Sequence, residues 1–282
     1  LYMELAQNLH AKGATRSSPQ EVTGGFNLHS VGLNGEQLNR MQSRRDPSGY
    51  GVNGTLLVIR PQNAVAPGDS AQIEVAWDFK VPQRGASGRM GYSKDNLFYI
   101  AYWYPKMSVY DDVVGWMTDQ FTGTAEFYHG FADYNVDITV PDQWMVGSTG
   151  RLTNGKDVLS KDIYKRLDKA HNSDTVMSVV TEDDFGSVTK SPDNGTLTWN
   201  FNAQKVRYFA FSVTKESKWD ATRASVGDLD GDGEDEYSNI NAIYRSSAPK
   251  WKDGAKFTKH AITYLSEQTD LKYPWPHMTS VE

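Results

Sequence analysis

The chain has 282 residues, with 29 Lys and Arg against 35 Asp and Glu, and a formal charge of −6. That acidic balance, with no stripe of basic residues interleaved with aromatics, excludes a phosphate-binding surface and nucleic acid as a partner. Cysteine is absent, which removes disulfide frameworks, thiolate zinc sites and cysteine nucleophiles, and no apolar run approaches the ~20 residues of a membrane-spanning helix.

Only 38% of the residues are hydrophobic, but 8 Trp, 15 Tyr and 11 Phe compensate, because each aromatic buries roughly 150–250 Å². The opening Leu1-Tyr2-Met3-Glu4-Leu5 reads as the middle of an element, so Leu1 is not expected to be the natural start. Turns are signalled at Gly24-Gly25, Asn34-Gly35 and Asp46-Pro47-Ser48-Gly49. Thr55 to Arg60 is a compact β-branched run. Ile73, Val75, Trp77, Phe79 and Val81 alternate with Glu74, Asp78 and Lys80, which predicts a half-buried antiparallel strand. Phe98 to Tyr104 is aromatic on both faces and reads as a strand buried on both sides or as the wall of a ligand cleft.

The alternation returns at Val136, Ile138 and Val140, at Leu197, Trp199 and Phe201, and from Val206 to Val213. Asn154-Gly155 and Asn194-Gly195 stand where tight hairpin turns belong. Residues 1–247 are therefore expected to form a mainly β domain, an antiparallel sandwich or extended sheet. Past Pro249, apolar residues at Trp251, Ala255, Ile262 and Leu265 predict a helix to about Glu267. It stops before Tyr273-Pro274-Trp275-Pro276, where the prolines forbid continuation. Residues 248–282 read as a linker and the first helix of a second, incomplete domain.

The sharpest local motif is Asp228-Leu229-Asp230-Gly231-Asp232-Gly233-Glu234-Asp235-Glu236. Carboxylates at alternate positions converge on one point while glycine permits the bend, and a hard cation wants six to eight such oxygens. Asp228, Asp230 and Asp232 are the expected calcium ligands, Glu234 through its carbonyl, and Glu236 directly or through water. Asn239 replaces the usual bidentate Glu, and no amphipathic helix precedes the loop, so a reduced affinity and a structural role are expected. Such a loop suits a calcium-rich exterior compartment. None of the six histidines lies within five residues of another, so His-Glu-x-x-His is absent. There is no Gly-x-Ser-x-Gly elbow either, and no glycine-rich phosphate loop. Asp111-Asp112 and Glu182-Asp183-Asp184 read as solvated turns, His260 as a surface residue, and His277 as part of a docked linker.

Four stretches in order carry a resemblance: Ile100 to Asp112 (IAYWYPKMSVYDD), Glu126 to Pro141 (EFYHGFADYNVDITVP), Val206 to Ser212 leading into Trp219 to Arg223, and Tyr273 to Glu282 (YPWPHMTSVE). Together they resemble the aminopeptidase-N-like zinc metallopeptidases, the gluzincin aminopeptidases, over roughly residues 95 to 282. The resemblance implies an N-terminal β saddle domain, then a thermolysin-like catalytic domain whose first helix follows Pro249. It also implies zinc held by a His-Glu-x-x-His motif and a downstream Glu, none of which this chain contains, so the chain alone is expected to be inactive. In the family the β domain holds the free amine of a peptide substrate with a Gln or Glu. Between Asn96 and Pro105 there is neither, leaving Asn96, Tyr102 and Glu126 as candidates. The alternative is a calcium-stabilised β-sandwich binding module that takes glycans on Trp116, Trp144 or Trp219.

Overall fold

A computed structural model describes residues 1–43, 45–85, 88–93, 96–124 and 128–282. Contacts divide the chain into two compact units: Leu1–Ser93 with Tyr99–Gly130, and Lys94–Phe98 with Phe131–Glu282. Both are built mainly of antiparallel sheet.

In the first unit, Tyr2–Glu4 pairs with Leu56–Arg60 on one side and Lys106–Met107 on the other, and Gly49–Asn53 extends the sheet. A second sheet pairs Asn27–Leu33 with Ile73–Asp78 and Glu36–Gln37. Met3, Leu5, Leu57 and Ile59 from the first sheet and its margin meet Val31 and Leu33 from the second, giving a small sandwich core. Ile73–Asp78 alternates half-buried and exposed residues as its period-two sequence requires. The β-branched run before Arg60 is likewise a strand, starting at Leu56.

In the second unit, the long strands Ala132–Pro141 and Thr196–Val206 form a ribbon, joined at one edge by Arg151–Leu152. Met145–Ser148 pairs with Phe211–Thr214. A four-stranded sheet has the order Met177–Val180, Ser217–Gly227, Glu236–Arg245, His277–Val281, and its last pair is parallel. Parallel neighbours need a crossover, and the helix Gly254–Thr269 supplies it, packed on the two central strands. Ala255 and Ile262 enter the cluster of Ala224, Val226, Ile240 and Ala242. Tyr273 to Pro276 is docked rather than loose: the Trp275 indole donates to the Lys205 carbonyl at 3.1 Å and the Asn239 amide to the Pro276 carbonyl at 3.0 Å.

Three expectations need correction. The hairpin turn at Asn154-Gly155 is a helix start: Asn154 precedes the short helix Gly155–Val158, and its side chain bonds the neighbouring ribbon instead. The stretch 206–213 is two segments, because Val206 ends one strand and the next begins at Phe211. The aromatic run is a strand only over Leu97–Ile100. Beyond it Tyr102 takes φ 55°, a left-handed conformation that breaks any strand, and Tyr99 is exposed.

Candidate functional site

Two of the three substrate-binding candidates lie among the described residues. Asn96 belongs to the second unit, where its carbonyl accepts the Lys215 amide at 3.1 Å and its Nδ2 donates to Glu216 Oε2 at 3.3 Å. Its Oδ1 is buried without a hydrogen-bond partner among the described residues. Nearby, the ammonium of Lys215 lies 4.7 Å above the Trp144 ring, which meets Phe98 edge-on. Tyr102 belongs to the first unit and is buried. Its carbonyl accepts from Gln7 Nε2 at 2.8 Å, its hydroxyl lies 3.4 Å from an Arg89 nitrogen, and its ring packs on Phe121. Left-handed backbone at a non-glycine residue costs of order 1–3 kcal/mol and gathers at functional sites. Glu126 lies outside the described residues.

The acidic motif is the loop of a hairpin between Ser217–Gly227 and Glu236–Arg245. Carboxylate oxygens of Asp228, Asp230, Asp232 and Glu236 lie within 4.8 Å of one another. Glu234 adds no carboxylate to that group; its amide donates to Asp232 Oδ1 at 2.9 Å. Gly231 and Gly233 adopt φ 86° and 94° and point their amides at the two oxygens of Asp228, at 2.5 and 2.9 Å. Those amides, Gly231 foremost, hold the Asp228 carboxyl below the usual carboxylate range. Lys272 donates to the Asp228 carbonyl and so ties the loop to the segment after the last helix.

Sequence spacing gave no sign of a polar network in the second unit. Asn241 Oδ1 accepts from His171 Nε2 and from the Trp219 indole, both at 2.9 Å. Burial lowers the His171 pKa. His277 is buried, and its Nε2 accepts the Gly150 amide at 2.6 Å. Burial first, then the Arg151 charge, pushes its pKa down to about 4. His260 lies on the exposed side of the last helix, its ring 5.5 Å from that of Tyr264. Of the three tryptophans considered for glycan stacking, Trp219 is buried, Trp116 is half-buried between Tyr2 and Tyr110, and Trp144 is covered by Lys215.

No family model matches the sequence, and no curated protein matches it. Solved structures do match. A two-domain M1 zinc metallopeptidase, in a variant form bound to L-tryptophan, aligns with a TM-score of 0.50 and 13% identity, over 100% of this chain and 48% of its own. The backbone fold is similar to that of about half of this enzyme. A variant of the M1 enzyme from Deinococcus radiodurans, bound to a Tyr-Ser-Ala substrate, gives a TM-score of 0.50 at 12% identity over the same shares. Aminopeptidase A of Legionella pneumophila, in complex with aspartic acid, gives 0.50 and 12% over 100% of this chain and 24% of its own. The chain thus spans about half the length of the first enzymes it matches, or less. At these identities the likeness to the M1 enzymes is one of backbone.

Proposed function

We propose that this chain is the substrate-flanking N-terminal region of an aminopeptidase-like zinc metallopeptidase, ending in the first helix of the catalytic domain. The observation that carries the reading is the alignment of all 282 residues with about half of an M1 enzyme. The last helix supports it. Phe257, Tyr264 and Leu265, exposed by 60%, 48% and 57%, form an apolar face turned away from the core, as a helix awaiting further catalytic-domain structure would show.

The residues present do not fit the catalytic zinc. Such sites use His nitrogen and a carboxylate around one point, whereas the cluster of convergent ligands found among the described residues is all carboxylate and holds no histidine. In this reading the metal and its general base belong to the rest of the parent protein. The parent polypeptide should bind zinc and hydrolyse aminoacyl amides, while this chain alone should do neither. A parent lacking both properties would refute the assignment.

The Asp228 loop is a separate, structural part of the proposal: a calcium-type cation held by Asp228, Asp230, Asp232 and Glu236, with the Glu234 carbonyl completing it. The convergence of four carboxylates favours this, since unneutralised charges so close repel. After chelation, calcium should release heat and raise the melting temperature, and Asp230→Asn should blunt both effects. Absence of either response in the unsubstituted chain removes the ion.

A further inference from the structure

A cavity of about 550 Å³ lies within the second unit, between the Met145–Ser148 strand, the loop that follows it, the helix Lys161–His171 and the strand His277–Val281. That volume suits a small organic molecule. Its walls sort by depth. Asn241, Trp219, Phe201 and His277 are buried, whereas Arg151 and Asp168 are exposed, so aromatic and amide groups form the floor and charges of both signs stand at the rim.

The polar groups of the floor are mostly spent on one another. Asn241 is held by His171 and Trp219, and Asn154 by the backbone of Thr198 and Asn200. At the rim, the Lys156 ammonium lies over the Tyr164 ring at 5.7 Å. Three groups are left unused. The His277 ring takes the Gly150 amide on Nε2, which puts its proton on Nδ1, and that nitrogen is buried with no acceptor among the described residues. Neither the Arg151 guanidinium nor the Asp168 carboxylate has a side-chain hydrogen bond or ion pair among the described residues, although both act electrostatically on His171.

We propose that this cavity binds a small zwitterion, a free amino acid or dipeptide, with its carboxylate at Arg151 on the His277 side and its ammonium at Asp168. The remaining body would lie against Tyr164, Phe201 and Trp219. Arginine matches a carboxylate with paired donors, Asp168 answers the opposite charge, and the aromatic wall accepts an apolar side chain. The site is built from this chain alone and does not depend on the peptidase reading.

The test is calorimetric titration of the chain with L-phenylalanine, its amide and its N-acetyl derivative, repeated on Arg151→Gln and Asp168→Asn. Both positions are exposed, and matching melting curves would verify that the variants fold. The free amino acid should bind saturably, with affinity falling about tenfold in each variant as a charge-assisted bond is lost. The amide should lose the Arg151 dependence and the N-acetyl derivative the Asp168 dependence. Shifting of the Trp219 indole resonance would locate the ligand. No saturable binding by about 10 mM, the weak end of specific recognition, would overturn the proposal. So would binding by either variant as tight as by the unsubstituted chain, or equal binding of all three ligands.

Discussion

The Gly150 amide reaches the Nε2 of His277 at 2.6 Å, and that bond exists only while the imidazole is neutral. The unfolded ring titrates near 6.5, and the folded one is pushed down to about 4 by burial. Between those values the unfolded chain binds the extra proton. The stabilisation is therefore complete above pH 6.5 and drains as pH falls toward 4, a loss on the order of 3 kcal/mol. His277→Gln keeps an acceptor for Gly150 without the titration, so its melting temperature should fall less steeply across that window than the unsubstituted chain's. Parallel slopes would count against this account. Gly150 itself has φ 91°, and a Cβ there would stand 2.6 Å from the Asn202 carbonyl, so the bond's donor cannot change residue cheaply. At this scale the acidic loop was legible because its ligands are neighbours in sequence. The network around Asn241 was not, because His171 and Trp219 lie 70 and 22 residues away.

Among the elements, the helix Gly254–Thr269 has two faces with different consequences. Ile262 is buried in the sheet-facing cluster, so Ile262→Ala should cost about 2–5 kcal/mol in denaturant unfolding. Phe257 is exposed, and Phe257→Ser should change stability by no more than about 0.5 kcal/mol. At the C-terminal end Asp270 takes φ 55°, where glycine is unstrained. Asp270→Gly should therefore stabilise, by about 0.5–1 kcal/mol. This helix was readable because its apolar residues recur over four turns and two prolines follow. The helix Lys161–His171 carries the same signal in Ile163, Leu167 and Ala170. It is only 11 residues long and stands among strands, and the Asn-Gly pair shortly before it signals a hairpin instead. Tyr102 is the opposite case: a run rich in strand formers is broken there by a backbone conformation that only the surrounding contacts select.

For the whole molecule, the apolar face of Phe257, Tyr264 and Leu265 separates two expectations. If the chain is part of a larger metallopeptidase, hydroxyl-radical footprinting should show these three side chains reactive in the isolated chain and protected in the parent. Equal reactivity in both would mean that the face meets no further domain. The glycan-binding alternative loses one of its three tryptophans, since Trp219 is buried.

Patterns of short range determined what the sequence could determine alone. Period-two alternation fixed the antiparallel strands at Ile73–Asp78, Ala132–Pro141 and Thr196–Val206. Helical spacing fixed the helix before the prolines, and alternate carboxylates with glycine marked a loop able to gather charge. Tertiary structure alone decided which strands pair, the parallel docking of His277–Val281, and the cavity whose walls come from six separate stretches. Burial and hydrogen-bond satisfaction depend on residues far apart in the chain, and nothing in local order records which distant partner will meet a given side chain.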